Sequence, residues 1–224
     1  MKKKAVVLLS GGLDSVTCLA IAAKEGYALH ALSFDYGQRH RIELALAREN
    51  AEKAEAEFHL VSFRLGVPEA SALTSKEAAV PDYIEGEHGI PATYVPARNL
   101  VFLSFATALA ESIGAKDIFI GVNSLDYSGY PDCRPEFIRS FTETANLGTK
   151  AADEKWKFRI HAPLQNLKKH EIITLGLSLG VDYSRTHSCY NPSPDGRACG
   201  KCDSCGLRKA AFEYLGLKDP ALGK

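Results

Sequence analysis

The sequence predicts an α/β fold: a parallel five-stranded sheet with helices on both faces, followed by a small cysteine-rich C-terminal segment. Three observations predict it. Apolar runs of strand length alternate with stretches of helical periodicity over most of the chain, the pattern of parallel strands joined by right-handed crossovers. The first run, Val6-Val7-Leu8-Leu9, stops at Ser10-Gly11-Gly12-Leu13-Asp14-Ser15 and passes directly into an apolar-periodic helix through Val16, Leu19, Ala20 and Ala23. Four of the six cysteines fall between positions 189 and 205, a crowding suited to one metal ion.

The first strand, turn and helix carry the strongest functional signal. Ser10, Gly11 and Gly12 let the backbone come close to a ligand with no side chain in the way. Asp14 and Ser15 can cap the first helical turn, and the amides left free there, at the positive end of the helix dipole, attract phosphate. The stretch Leu9, Ser10, Gly11, Gly12, Leu13, Asp14, Ser15, Val16, Thr17, Cys18 and Leu19 is therefore the candidate nucleotide-binding segment. It has no Gly-Lys-Ser/Thr ending and lacks the spaced glycines of a dinucleotide fingerprint.

The remaining elements follow in order. A second strand is expected over 27–34, a helix over about 41–55 and a third strand over 57–63. The first strand is expected at the centre of the sheet, with the ligand at the carboxyl ends of the strands. From 64 to 96, Pro68, Pro81, Pro91 and Pro96 with Gly66, Gly86 and Gly89 break any periodicity; an insertion this long reads as a functional loop or lid. Arg98-Asn99 opens a helix so apolar (Leu100, Phe102, Leu103, Phe105, Ala106, Leu109) that it is expected to be buried. A fourth strand is expected over 117–122, a helix over 136–146, a fifth strand over 157–162, a helix from about 168 to 179 and a short final one near 207–215. The organisation is thus a nucleotide-binding α/β domain over 1–165, with its insertion at about 64–96, and a small helical, metal-binding region over 166–224.

Composition narrows the function. The 27 basic and 27 acidic residues cancel, which argues against a large nucleic-acid footprint. The apolar run after Lys2–Lys4 is too short for an export signal, and no stretch approaches the roughly 20 apolar residues of a membrane span. The expectation is a cytoplasmic protein with no membrane and no direct nucleic-acid partner. Without export, a disulfide framework is not expected. Cys189, Cys199, Cys202 and Cys205 instead describe a closed structural zinc site, preferred over a redox pair or an iron–sulfur cluster; His187 could compete as a ligand. Cys18 reads as a packing residue, and Cys133 as a nucleophile or a pocket-lining residue. His40 and His161 lie near strand ends. Arg98 and Lys169 are candidates to neutralise charge that builds on phosphate, and Asp14 to hold Mg²⁺.

Ser10-Gly11-Gly12-Leu13-Asp14-Ser15 resembles the pyrophosphate loop of the enzymes that split ATP between its α- and β-phosphates. Tyr36-Gly37-Gln38-Arg39-His40, Arg98-Asn99, the run from Asp126 through Tyr130-Pro131-Asp132-Cys133 to Arg134, and Cys189-Tyr190-Asn191 with the closing cysteines extend the likeness. Together they resemble the 7-cyano-7-deazaguanine synthase family over nearly the whole chain. The resemblance implies a Rossmann-like, adenine nucleotide alpha hydrolase-like fold. It also implies an ATP-dependent ligase that converts 7-carboxy-7-deazaguanine and ammonia to the nitrile through adenylated acid and amide, releasing AMP and pyrophosphate. Asp14, Arg98 and Lys169 would be the catalytic residues, ATP, Mg²⁺ and Zn²⁺ the cofactors, and the assembly a homodimer. Tyr127 and Tyr130 would stack on the base, Asp126 or Asp132 would accept from its amino edge, and Arg134 would bind a carbonyl or the substrate carboxylate. Family members often carry glycine where Ala97 stands, and Asp-Phe-Ser where this chain has Asp126-Tyr127-Ser128. Two other readings are weighed: a tRNA thiolation enzyme, which needs a basic surface, and a nucleotide sensor that binds ATP without consuming it. Gly11 and Asp14 are read as exposed loop positions, whose replacement should stop ATP turnover and spare the fold.

Overall fold

Strand β1 (Lys4–Leu8) turns Val6 and Leu8 to one face of the sheet and Ala5 and Val7 to the other, and all four are buried. The computed structural model describes residues 2–39, 41–84, 89–124 and 130–221. After β1 come α1 (Leu13–Lys24), β2 (Ala28–Asp35), α2 (Ile42–Lys53), β3 (Glu57–Ser62), α3 (Arg98–Ile113) and β4 (Asp117–Phe119). Then follow α4 (Pro135–Leu147), α5 (Lys150–Glu154), β5 (Arg159–His161), α6 (Lys169–Ser178) and α7 (Asp203–Tyr214). The sheet is parallel throughout, in the order β3-β2-β1-β4-β5. The first strand is central, and the winding reverses between β2 and β4, both hydrogen-bonded to it. A ligand crevice is expected at the carboxyl ends of β1 and β4 at such a reversal.

Helices cover both faces. Leu103, Ala106 and Ala110 of α3, Ile138 of α4 and Ala151 and Ala152 of α5 pack with Val6, Leu8, Leu32, Phe34 and Ile118. On the other face, Val16, Cys18 and Leu19 of α1, Ala47 and Ala51 of α2, Ile172 and Ile173 of α6 and Phe212 of α7 pack with Ala5, Val7, Leu29 and Ala31. Residues before and after position 165 therefore share this second core. Cys18 is a packing residue, as its apolar helical setting predicted.

Several elements differ from the sequence reading. β4 ends at Phe119 rather than 122; Ile120 still donates to the His161 carbonyl at 2.9 Å, but beyond it the Asn123 side chain donates to the carbonyls of Leu164 and Leu167, which draws the chain out of the ladder. α3 is amphipathic rather than enclosed: Leu100 and Phe105 remain exposed on the side away from the core. α7 starts at Asp203, with Cys202 as its N-cap residue. The five-residue α5 has too few apolar positions to give a period. His161 Nε2 donates to Asp117 at 2.7 Å, and the same carboxylate accepts two hydrogen bonds from Arg159. Burial would raise the Asp117 pKa, yet these hydrogen bonds hold the carboxyl below its ordinary value.

Gly11 departs most from expectation. It is buried, with φ +85°, and a Cβ placed there would lie 2.2 Å from the Glu43 carbonyl oxygen and 2.9 Å from the Ala47 amide nitrogen. Backbone on the α2 side cannot yield as a side-chain tip would. Gly11→Ala should therefore lower unfolding free energy by more than about 2 kcal/mol, from left-handed strain and overpacking together. Urea denaturation checks this; a variant as stable as the parent would mean that the loop can lift away from α2.

Candidate functional site

A cavity of about 230 Å³ opens at the carboxyl end of β1, lined by the turn into α1, the ends of β2 and β4, the first turns of α2 and α3, and the segment before the cysteine cluster. The turn is held by its own hydroxyls. Ser15 Oγ accepts from the Ser10 amide at 3.1 Å and donates to the Gly12 carbonyl at 3.1 Å, while Ser10 Oγ accepts from the Gly12 amide at 3.3 Å. Ser188 Oγ, from far along the chain, accepts from the Leu13 amide at 3.1 Å. These are amides that a phosphate oxygen can take over from hydroxyls.

Of the candidate nucleotide-binding residues, Leu9, Ser10, Gly12, Leu13, Asp14 and Ser15 line this cavity. Val16, Cys18 and Leu19 instead face the sheet in the core. Thr17 is buried, donating to the Leu13 carbonyl and hydrogen-bonded at 2.8 Å to the Tyr183 hydroxyl. The α-helical turn explains the division: past Ser15 the chain goes down into the packed face of α1.

Asp14, Arg98 and Lys169 come together from three elements. Both carboxylate oxygens of Asp14 lie 2.8 Å from Lys169 Nζ, an ammonium at the start of α6 whose side chain is 8% exposed. Arg98, at the start of α3, lines the cavity and is hydrogen-bonded to the buried Tyr36 hydroxyl. Ala97, just before it, has φ +56° and ψ +21°. This left-handed conformation disfavours side chains and accounts for glycine at this position in the family resembled.

The run from 126 to 134 divides. Asp126 and Tyr127 lie outside the described residues, as does His40. Tyr130 lines the cavity, its hydroxyl hydrogen-bonded at 2.8 Å to Thr93 Oγ1 of the insertion. Asp132 is buried and accepts from the Asn99 amide at 2.9 Å, so its carboxylate holds the amino end of α3. Cys133 also lines the cavity. Burial pushes its thiol up to about 12 against the lowering effect of a hydrogen bond that Asn99 Nδ2 donates to the sulfur at 3.4 Å, a setting that favours the thiol over the thiolate. Arg134 is exposed at the start of α4 and does not line the cavity.

The sulfurs of Cys189, Cys199, Cys202 and Cys205 all lie within 4.8 Å of one another and are reduced. Four thiolates about 2.3 Å from a tetrahedral zinc stand about 3.8 Å apart, so the cluster could bind zinc. Backbone amides of Cys199 and Asn191 donate to the Cys189 sulfur at 3.2 and 3.4 Å, and that of Tyr190 to the Cys202 sulfur at 3.4 Å, as suits sulfurs carrying negative charge. The insertion is fastened to this cluster. Asp82 forms an antiparallel bridge with Cys202, the Tyr83 amide donates to the Lys201 carbonyl at 2.7 Å, and Val80 packs on the cysteines. A Cβ at Gly206 would come within 2.4 Å of the Tyr83 ring; this glycine makes room for the insertion.

The sequence reading missed Glu43, Asn123, His187, Ser188 and Tyr190 as cavity residues. No local signal marks them, because each is brought in by packing between distant elements. Glu43 is the most informative. Half-buried in the first turn of α2, it has its carboxyl pushed up to about 7 by burial, against the lowering effect of Arg98 and of a hydrogen bond from Gln38.

The fold is adenine nucleotide alpha hydrolase-like. Solved structures share the architecture: an NMN synthetase from Francisella tularensis (TM-score 0.52, 21% identity, 99% of this chain and 81% of that one) and a 4-thiouridine synthetase in complex with RNA and bound ATP (TM-score 0.52, 21% identity, 80% and 41%). The model of the family described as queuosine biosynthesis protein QueC matches residues 4–216. Relatives named 7-cyano-7-deazaguanine synthase include those of Geotalea daltonii, 61% identical over 98% of this chain and 96% of that one, and Methylococcus capsulatus, 59% identical over 97% of each. The chain belongs to the QueC family.

Glu43 gives a pH prediction. With its folded pKa near 7 against 4.5 for an ordinary glutamate, the native state binds the extra proton between those values. Stability therefore falls as pH rises through that window. Glu43→Gln removes this slope, so urea melts should show the variant gaining on the parent from pH 5 to pH 8. A constant difference would return Glu43 to an ordinary carboxylate.

Proposed function

We propose that the protein is a 7-cyano-7-deazaguanine synthase, an ATP-dependent carbon–nitrogen ligase that takes 7-carboxy-7-deazaguanine and ammonia to the nitrile and releases AMP and pyrophosphate. The observation that carries the reading is the cavity itself: the turn from Ser10 to Ser15, with Asp14 held by Lys169 and with Arg98 on its wall, in a chain about 60% identical end to end to synthases of that name.

A carboxylate is a poor electrophile, so the reaction begins with its attack on the α-phosphate of ATP, giving an acyl adenylate. The loop amides now satisfied by Ser10, Ser15 and Ser188 receive the departing pyrophosphate. Arg98 and Lys169 offset the charge that grows on the phosphates, and being fixed before the reaction they need no reorganisation during it. Asp14 would hold Mg²⁺, which would supply neutralisation of phosphate charge. Its carboxylate lines the cavity while Lys169 fixes its orientation. Ammonia then displaces AMP to give the amide, and a second adenylation on the amide oxygen lets AMP leave as the nitrile forms. Orientation and charge stabilisation carry these steps without a protein nucleophile, which agrees with the buried, protonated Cys133.

For the base, Tyr130 offers a ring to stack on, and Asp126 and Tyr127 would supply the acceptor and second ring, while Asp132 acts through Asn99 and α3 and Arg134, outside the cavity, is not assigned to the base. Cys189, Cys199, Cys202 and Cys205 would hold one zinc ion, which contributes folding free energy. The exposed Leu100 and Phe105 of α3 suit a homodimer. Among the described residues no helix is long and apolar enough to cross a membrane, consistent with a cytoplasmic enzyme.

Incubation with ATP, Mg²⁺, ammonium and 7-carboxy-7-deazaguanine should yield the nitrile with AMP and pyrophosphate by mass analysis; ADP as product would overturn the scheme. Asp14→Asn should cut kcat about 10²-fold or more and, by leaving Lys169 buried without its carboxylate, cost about 2 kcal/mol of stability. Elemental analysis should find one zinc per chain, lost on replacing any of the four cysteines by serine. Iron with inorganic sulfide, or a folded metal-free protein, would refute the zinc assignment.

A further inference from the structure

Away from the cavity, three Lewis bases converge on strands β2 and β3. His30 is the register partner of Glu57, and His59 follows two residues on along the same face of β3. His30 Nδ1 lies 3.2 Å from His59 Nε2. The Glu57 oxygens reach the same two nitrogens, at 3.4 Å from His30 and 3.5 Å from His59. A carboxylate hydrogen-bonded to an imidazolium would sit at about 2.7–2.9 Å, so these contacts are too long for charge-assisted hydrogen bonds. They match another arrangement. Ligands about 2.1 Å from one tetrahedral ion stand about 3.4 Å from each other.

We propose that His30, His59 and Glu57 form a second metal site, distinct from the cysteine cluster, for a divalent transition-metal ion of the zinc class. Two imidazoles and a carboxylate supply three corners of a tetrahedron and water the fourth. Nitrogen and oxygen donors of this kind suit zinc, cobalt and nickel. The surroundings favour ligation. Glu57 is largely exposed, which gives an ion a way in, and the Lys4 ammonium is bonded to the Ile113 carbonyl at 3.1 Å. Among the described residues β3 pairs only with β2, so an ion here clips the edge strand to its neighbour. The site stands independently of the proposed reaction.

The test is a Co²⁺ titration of protein whose cysteine site is already filled with zinc. One further equivalent should bind per chain, with visible d–d bands and no thiolate-to-cobalt charge transfer. His59→Gln and Glu57→Gln, at partly exposed positions that the core does not need, should each weaken that binding at least tenfold, with zinc content and circular dichroism unchanged. Failure to bind a second equivalent would overturn the proposal and leave a hydrogen-bonded histidine pair. Equal binding by the parent and both variants would overturn it as well.

Discussion

The contact between Gly11 and α2 sets the geometry of the candidate active site. Peptide backbone meets peptide backbone there, at a separation that admits no Cβ. This close approach brings the first turn of α2 against the turn after β1, and with it the Glu43 carboxyl into the wall of the cavity. The Gly11 carbonyl in turn accepts from the His187 amide at 3.0 Å, which ties the cysteine-bearing end of the chain to the same turn. Ser188 follows at once and reaches the Leu13 amide. One glycine thus joins three segments that are far apart in sequence, and each contributes a polar group facing the same space. A larger residue would separate them before it touched any ligand.

The cysteine cluster extends this arrangement outward. Its first cysteine, Cys189, stands between Ser188 and Tyr190, both on the cavity wall. Its other side carries the insertion, through the bridge at Asp82 and the Tyr83 ring seated on Gly206. From there the insertion runs back to the cavity, where Thr93 meets Tyr130. A segment with four prolines and little regular structure cannot hold a conformation by its own ladder of hydrogen bonds. It is held from outside instead, by the sulfur cluster, by a buried hydroxyl pair and by Arg39, whose guanidinium donates to the Ala78 carbonyl at 2.8 Å. The four-cysteine cluster, which could hold a metal ion, is therefore placed where it can shape the cavity wall.

Much of this was legible in the sequence, and the division follows from the range of each interaction. Alternating strand and helix patterns, the central first strand, the loop at its carboxyl end and the four-cysteine cluster are local signals, and the structure contains all of them. Strand ends were read less well: β4 stops early because the Asn123 side chain bonds to carbonyls some forty residues away. The apolar composition of α3 suggested enclosure, but composition does not say which face meets the core, and Leu100 and Phe105 stay outside. Gly11 was legible as a phosphate-loop glycine and not as a packing constraint, since nothing near it in sequence announces α2. Glu43 and Ser188 were invisible for the same reason.

The run around Asp132 shows that a family's signature and its ligand contacts are different properties. Tyr130-Pro131-Asp132-Cys133 is part of the run that carries the resemblance to the synthase family, and its aspartate has the chemistry to read a guanine-like edge. Yet Asp132 is buried and accepts from the first turn of α3, while Asn99 reciprocates to the Asp132 carbonyl and the Cys133 sulfur. This reciprocal clamp fixes where α3 begins. Arg98 is the residue before Asn99, so the clamp also fixes the guanidinium on the cavity wall. Ala97, held in a left-handed conformation just ahead of the helix, shows how tightly that start is constrained, because a strained backbone persists only where its surroundings over-determine it. The signature then gains a physical basis: Tyr130 meets the ligand space directly, and Asp132 and Cys133 secure the helix that delivers the cation.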